Sequence, residues 1–222
     1  MTEQEIREAY VSELETYLGA REGDLRHREL IDLYNSMPEL PRGYAMTYTA
    51  DWCVATAVAV AVKLGLTEII HPECSCTRTI ELYRTEGRFR QDRNYVPQIG
   101  DFIIYDWEDN ADPDHWGTVA GIDGKNLRII EGNMADRVGY RELEIGDGRI
   151  YGYCLPDYGR MAKIGFSDVP ADAWYAEAVD YCARYGLMKG RSAGIFDPNT
   201  PVTRAELAAV VMRLHQAMEK RE

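Results

Sequence analysis

The sequence predicts an α+β chain in two parts, and three observations carry that expectation. Apolar residues recur at helical spacing through residues 3–86. From Pro97 onward the pattern changes to short strand-like segments parted by turn signals. Helices first and strands second is the order of an α+β fold, not of alternating βαβ units. The third observation is charge. The 222 residues hold 25 Lys and Arg against 37 Asp and Glu, a net charge of −12. Residues 1–163 carry 18 basic and 29 acidic side chains, whereas 164–222 are nearly balanced.

The elements follow in order. Ile6, Ala9, Tyr10, Leu14, Tyr17 and Leu18 predict a helix over 3–18, closed by Gly19. Leu30, Ile31, Leu33 and Tyr34 predict another over 25–36, ended by Pro38 and Pro41. Val54 to Leu64 is apolar all round, the mark of a buried helix, with Thr49 or Asp51 as its expected cap and Gly65 as its end. A short helix is expected over 77–86. Strands are expected at Phe102–Tyr105, His115–Ile122, Asn126–Ile130, Val138–Ile145 and Ile150–Leu155, running as an antiparallel meander, with Asp123-Gly124 as a hairpin signal. The first domain is placed at 1–158 and a linker at 159–165. The second domain, 166–222, carries helices at Trp174–Tyr185 and Thr203–Gln216, parted by the loop Gly186–Pro201.

Composition excludes several classes. Hydrophobic residues are 45% and charged residues 28%, an ordinary globular balance. The apolar run Val54–Val62 is about half of what a membrane helix needs, so no membrane partner is expected. The acidic balance argues against a nucleic-acid partner, which would need a basic face. Five cysteines are a poor disulfide framework and suit a reducing cytoplasm or a working thiol. The N-terminus lacks the basic-then-apolar pattern of a signal peptide.

Cys53 is the most informative residue. It stands in the first turn of the apolar helix, where the helix dipole favours a thiolate. A nucleophilic thiol needs a base. Of four histidines, His27 lies in a polar stretch and reads as a solvated surface residue, His71 sits in a loop beside Pro72, and His215 ends the last helix. His115 opens a strand behind a polar loop, the setting for a base that is held yet open to substrate. Glu131 and Asn133 are candidates to orient it. Leu127 and Ile129 share the phase of Glu131, which carries that carboxylate inward. A three-residue loop at Ile122–Gly124 would set His115 opposite Glu131, and this register is the one expected; a two-residue Asp-Gly turn would part them. Cys74 and Cys76 are too closely spaced for a usual zinc site, and Cys154 and Cys182 read as core. The acidic loop 106–114 lacks the spacing and glycine of a calcium loop, so no metal is expected.

Four segments in order, Ala50-Asp51-Trp52-Cys53, Gly100 to Tyr105, Asp114-His115-Trp116-Gly117 and Ile130-Glu131-Gly132-Asn133, resemble the CHAP domain, the cysteine, histidine-dependent amidohydrolase/peptidase of bacterial and phage cell-wall hydrolases. The resemblance covers roughly residues 1–158. It implies a papain-like fold with Cys53 as nucleophile, His115 as general base, Glu131 orienting the imidazole, and Asn133 supporting it or polarising the site. Trp116 departs from the smaller residue common after the histidine, which implies a narrower groove.

The second part resembles one surface-layer homology (SLH) module, on Phe166 to Pro170, Trp174-Tyr175, Gly194 to Pro198 and Thr203 to Glu206. That resemblance implies anchoring on a secondary cell-wall polysaccharide through Asp168, Trp174 and Arg204. It also implies either a homotrimer or weak binding by a lone module, since three modules are usual. The expectation is therefore an endolysin-like cysteine hydrolase. It would be an N-acetylmuramoyl-L-alanine amidase or endopeptidase, cofactor-free, acting on peptidoglycan at the wall. The alternatives are a non-catalytic wall-binding protein and a cysteine peptidase acting on proteins.

Overall fold

A computed structural model describes residues 1–108, 110, 112–162, 165–170, 172–192 and 194–219. The chain divides into two compact units, Glu3–Gly159 and Arg160–Glu222 with Met1–Thr2. The first is mixed helix and antiparallel sheet. Its helices are α1 (Glu3–Glu15), α2 (Leu25–Asn35), α3 (Cys53–Leu64), α4 (Cys76–Thr85) and the start of α5 (Tyr158–Met161). Its strands are β1 (Phe89–Arg90), β2 (Phe102–Tyr105), β3 (His115–Asp123), β4 (Asn126–Glu131), β5 (Gly139–Glu144) and β6 (Ile150–Cys154).

α3 is the buried axis. Nine successive residues, Cys53 to Ala61, are buried, and Gly65 closes the helix in a left-handed conformation. α1 packs on it through Ile6, Tyr10 and Leu14, and the Tyr10 hydroxyl donates to the Ala57 carbonyl at 2.9 Å. Neither Thr49 nor Asp51 caps α3. The residue before its first turn is Trp52, with no side-chain cap bond. The first-turn amides therefore have no capping side chain to satisfy them.

The sheet order is β1-β6-β2-β3-β4-β5, all neighbours antiparallel. This is not the simple meander the sequence predicts, because β6 returns to pair with β2 on the far side of β3. The reason lies in side-chain alternation. Phe102, Trp116, Thr118 and Ile130 are buried on the face that meets α1 and α3, while Ile103, Tyr105, Val119, Leu127, Ile129, Leu143, Ile150 and Tyr153 form a second core. Pairing on the free edge of β2 lets β6 add Ile150 and Tyr153 to this second core. A buried ion pair ties α1 to the start of β2: Arg7 reaches Asp101 at 2.9 Å and the Ile99 carbonyl at 3.0 Å.

The hairpin register also differs from expectation. Asp123 pairs with Asn126, which leaves a two-residue Gly124-Lys125 turn, and a bulge at Ala120 then shifts the ladder by one. The turn alone would put His115 and Glu131 on opposite faces, and the extra residue restores them to one face. The two residues share a face as expected, but through a different device, and Glu131 lies beside Gly117 instead of directly opposite His115.

The second unit holds α6 (Ala176–Arg184) and α7 (Arg204–Glu219). Thr203 and Glu206 form a reciprocal cap at the start of α7, with the Thr203 amide donating to Glu206 at 2.7 Å and the Glu206 amide to Thr203 at 3.2 Å. Val179 and Leu187 are buried, and Phe166 packs on Phe196 with ring centroids 5.2 Å apart.

Gly132 is where β4 ends against α3. A Cβ there would stand 1.9 Å from Thr56 Oγ1. We expect Gly132→Ala to lower stability by about 1–3 kcal/mol in urea unfolding. Gly148→Ala, whose nearest neighbour is 3.9 Å away, should stay within about 0.5 kcal/mol.

Candidate active site

Glu131 ends β4 with only 1% of its surface exposed. A carboxylate so buried must be matched by donors. Three converge on it. The Tyr105 hydroxyl donates to Oε1 at 2.6 Å, Arg141 Nε donates to the same oxygen at 2.7 Å, and His115 Nε2 lies 3.1 Å from Oε2. Burial alone would raise the pKa of Glu131. The bonds from His115, Arg141 and Tyr105 outweigh it and hold the group below its ordinary value.

Glycines make this convergence possible. Gly139 lies directly across from Glu131 on β5. On β3 a Cβ at Gly117 would stand 3.1 Å from Glu131 Cγ and 2.5 Å from Ile129 Cγ2. With no side chain on either flank, the carboxylate lies back along the sheet toward His115. Tyr105 pairs with His115 across the β2–β3 ladder and stacks on its ring at 5.8 Å. Trp107 stacks on Tyr105 at 4.6 Å, with the Arg141 guanidinium 4.7 Å from its ring. Asp114 accepts from the Trp107 amide at 2.6 Å and so pins the loop before His115.

Cys53 is 8% exposed, at the first residue of α3. A hydrogen bond from Cys76, 3.9 Å away between sulfurs, is the main influence lowering its pKa. Burial opposes it, while hydrogen bonding and charge from His115 and the Val54 amide add to the lowering. Burial would lower the pKa of His115, yet the influence of Cys53 and of Glu131 carries it up to about 9. Around neutral pH the pair is therefore a thiolate beside an imidazolium. Since Nε2 faces Glu131, Nδ1 is the nitrogen left for the sulfur. This arrangement can do acyl transfer: a charged nucleophile, an acid poised to protonate a leaving group, and helix amides for an oxyanion.

The other expected residues fall as follows. Asn133 adopts φ +55° and donates to Asp51 at 3.3 Å, so its amide ties together the loops around Cys53 instead of meeting the imidazole. Trp116 does not narrow the groove at His115. Alternation along β3 turns it to the helix side, where it is buried against Phe102 at 5.0 Å. His27 is fully buried, not solvated. Its Nδ1 accepts from the Gly23 amide at 3.0 Å and its ring packs on Trp52 at 4.6 Å. Among the described residues no cluster is suited to a metal ion. Asp109 and Ala111 of the acidic loop lie outside those residues, as do Lys163 and Ile164 of the expected linker.

In the second unit, both Asp168 oxygens are taken by backbone, accepting from Phe196 at 2.9 Å and Asp197 at 2.7 Å. Asp168 thus shapes the loop. Trp174 is 92% exposed and meets Tyr175 edge-on at 5.5 Å, and Arg204 is exposed at the start of α7. Sequence reasoning missed Tyr105, Arg141 and Cys76. The two glycines flanking Glu131 were the available signal for Arg141. Cys76 had none, because its approach to Cys53 depends on the long 65–75 connection.

Residues 165–208 match the S-layer homology domain family. Over 49 residues the chain is 39% identical to S-layer protein sap of Bacillus anthracis, which is 22% of this chain and 6% of that protein. It is 41% identical over 49 residues to the surface-layer 125 kDa protein of Lysinibacillus sphaericus, covering 22% of this chain and 4% of the relative. It is 38% identical over 55 residues to cell surface glycoprotein 1 of Acetivibrio thermocellus, covering 25% of this chain and 2% of that protein. The chain thus spans only a small part of the curated relatives it matches. No solved structure matches it.

The ionised thiol has a measurable signature. We expect the alkylation rate of Cys53 by iodoacetamide to remain near its plateau at about pH 6, far below the ordinary thiol pKa of about 8.5. Glu131→Gln should move the midpoint upward, because His115 loses the carboxylate that helps keep it charged. A wild-type midpoint near the ordinary thiol value would contradict the ion pair.

Proposed function

We propose that the chain is a cell-wall hydrolase: a papain-like CHAP unit that cleaves an amide bond in the peptide part of peptidoglycan, joined to an SLH module that anchors it to a secondary wall polysaccharide. One observation carries the catalytic half: His115 Nε2 stands 3.1 Å from buried Glu131, and His115 in turn favours the Cys53 thiolate. The matched S-layer homology domain supports the anchoring half.

The reaction is acyl transfer. The Cys53 thiolate adds to the amide carbonyl. The Val54 amide and its neighbours at the start of α3 take up the oxyanion. His115 gives its proton to the leaving amine, and the thioester forms as the C–N bond breaks. His115, now neutral, takes a proton from water, whose oxygen attacks the thioester and returns the thiol. Glu131 holds the imidazole and stabilises its charged form. Arg141 and Tyr105 hold Glu131. The bond is either the muramoyl–alanine amide or a stem or cross-bridge peptide bond. No step calls for a cofactor.

In the anchoring module, Trp174 offers a face to a sugar ring and Arg204 a fork for an acidic substituent. Asp168 fixes the loop at Phe196 and Asp197. Leu207, Val211, Leu214 and Met218 on α7 are about half exposed or more, at a four-three-four spacing. That spacing is the seam of a helix that packs on copies of itself, which supports the homotrimer. Among the described residues no helix is long and apolar enough to cross a membrane.

Two measurements check this reading. Turbidity of a wall suspension should fall with wild type and stay level with Cys53→Ala; equal clearing by both would remove the thiol from the mechanism. In pelleting assays, Arg204→Ala should weaken wall binding by about tenfold or more, as loss of a charge-assisted bond of roughly 1.5–3 kcal/mol. Binding by wild type should survive added salt, since an acidic chain gains little from an anionic wall. Steep loss with salt would contradict that.

A further inference from the structure

The Cys53–Cys76 contact favours the Cys53 thiolate, but the hydrolytic mechanism gives Cys76 no part in bond making or proton transfer. The two sulfurs stand 3.9 Å apart, each on the first residue of a helix. A disulfide needs about 2.05 Å between sulfurs, an approach of about 1.9 Å. The segment that carries Cys76 is anchored. Buried Glu73 accepts from the Cys74 amide at 2.7 Å and the Ser75 amide at 3.0 Å, and pairs with Arg42 at 2.6 Å. Among the described residues Cys76 supplies the sulfur in contact with Cys53, while Cys154 is fully buried in β6 and Cys182 belongs to the other unit. Cys76 itself is only partly buried, which leaves the pair a way to solvent.

We propose that Cys76 is the resolving thiol of Cys53: a hydroperoxide closes a Cys53–Cys76 disulfide that takes the nucleophile out of action, and a dithiol reductant reopens it. The Cys53 thiolate attacks the peroxide oxygen, the O–O bond breaks, and the alkoxide or hydroxide leaves with the proton of His115. Cys53 is then a sulfenic acid. Cys76 passes its proton to the now neutral His115, and its sulfur attacks that of Cys53. The S–O bond breaks and the departing hydroxide leaves as water with that same proton. Two electrons pass from the two sulfurs to the peroxide. The negative charge on Cys53 helps to hold Cys76 protonated beforehand, and that charge is gone once the sulfenic acid forms. The pairing stands on the geometry alone, whereas the loss of activity rests on the hydrolase reading.

The test treats the full chain with hydrogen peroxide, blocks free thiols with an alkylating agent, and maps the peptides by mass spectrometry. The expected product is a Cys53–Cys76 linkage, lighter by two hydrogens, with Cys74 alkylated. It should persist in Cys74→Ser, be absent in Cys76→Ser, and revert with dithiothreitol. Wall cleavage should be lost with the linkage and return with the reductant. Sulfinic Cys53 beside free Cys76 in the wild type, or linkage through Cys74, would overturn the proposal without relying on any variant. A linkage that forms and reverts in a chain that never cleaves walls would uphold the pairing and sink the hydrolase reading.

Discussion

A carboxylate sealed inside the first unit organises the site. Removing an ion from water costs several kcal/mol unless donors replace the water. Glu131 can exist as a carboxylate at its position only because Tyr105, Arg141 and His115 all reach it. Each comes from a different strand, so the sheet must be assembled, in register and with its bulge, before the charge is matched. The glycines at 117 and 139 leave the space, and the bulge at Ala120 sets the face. His115 takes its orientation from this arrangement, Cys53 and Glu131 together raise its pKa, and Cys53 gains its ionised form in part from His115.

The helical layer answers the sheet from the other side. α3 begins at Cys53 without a side-chain cap, which leaves amides at its start for charge in the site. Gly132 lets β4 press against Thr56 one turn into that helix, so the carboxylate end of the system and the thiol end meet at a fixed spacing. Asn133 and Asp51 then join the two loops on either side.

Much of this is legible in the sequence. The apolar run after Cys53 marks the buried helix, and Phe102–Tyr105 is observed at the bounds its pattern predicts. The inward phase of Glu131 follows from Leu127 and Ile129. Most of what escapes is long-range pairing. The return of β6 to β2 and the approach of Cys76 depend on contacts between residues distant in sequence, whereas the bulge at Ala120 is a local slip within the β3–β4 hairpin that no residue pattern marks. His27 escapes for a related reason: charged neighbours suggest a solvated face, yet it packs under Trp52. The second unit shows the same dependence: both Asp168 oxygens accept from the Phe196 and Asp197 amides, 28 and 29 residues further along the chain.

Cell-wall cleavage by a thiol leaves a chemical record in the wall itself. Purified peptidoglycan digested with wild type and with Cys53→Ala, then read by mass spectrometry, would expose it. New amine and carboxyl ends made by the wild type alone are the expected result, and they would also identify the bond. Walls of several chemotypes left intact by the wild type, or cut equally by the variant, would contradict a cleavage mechanism built on Cys53, His115 and Glu131.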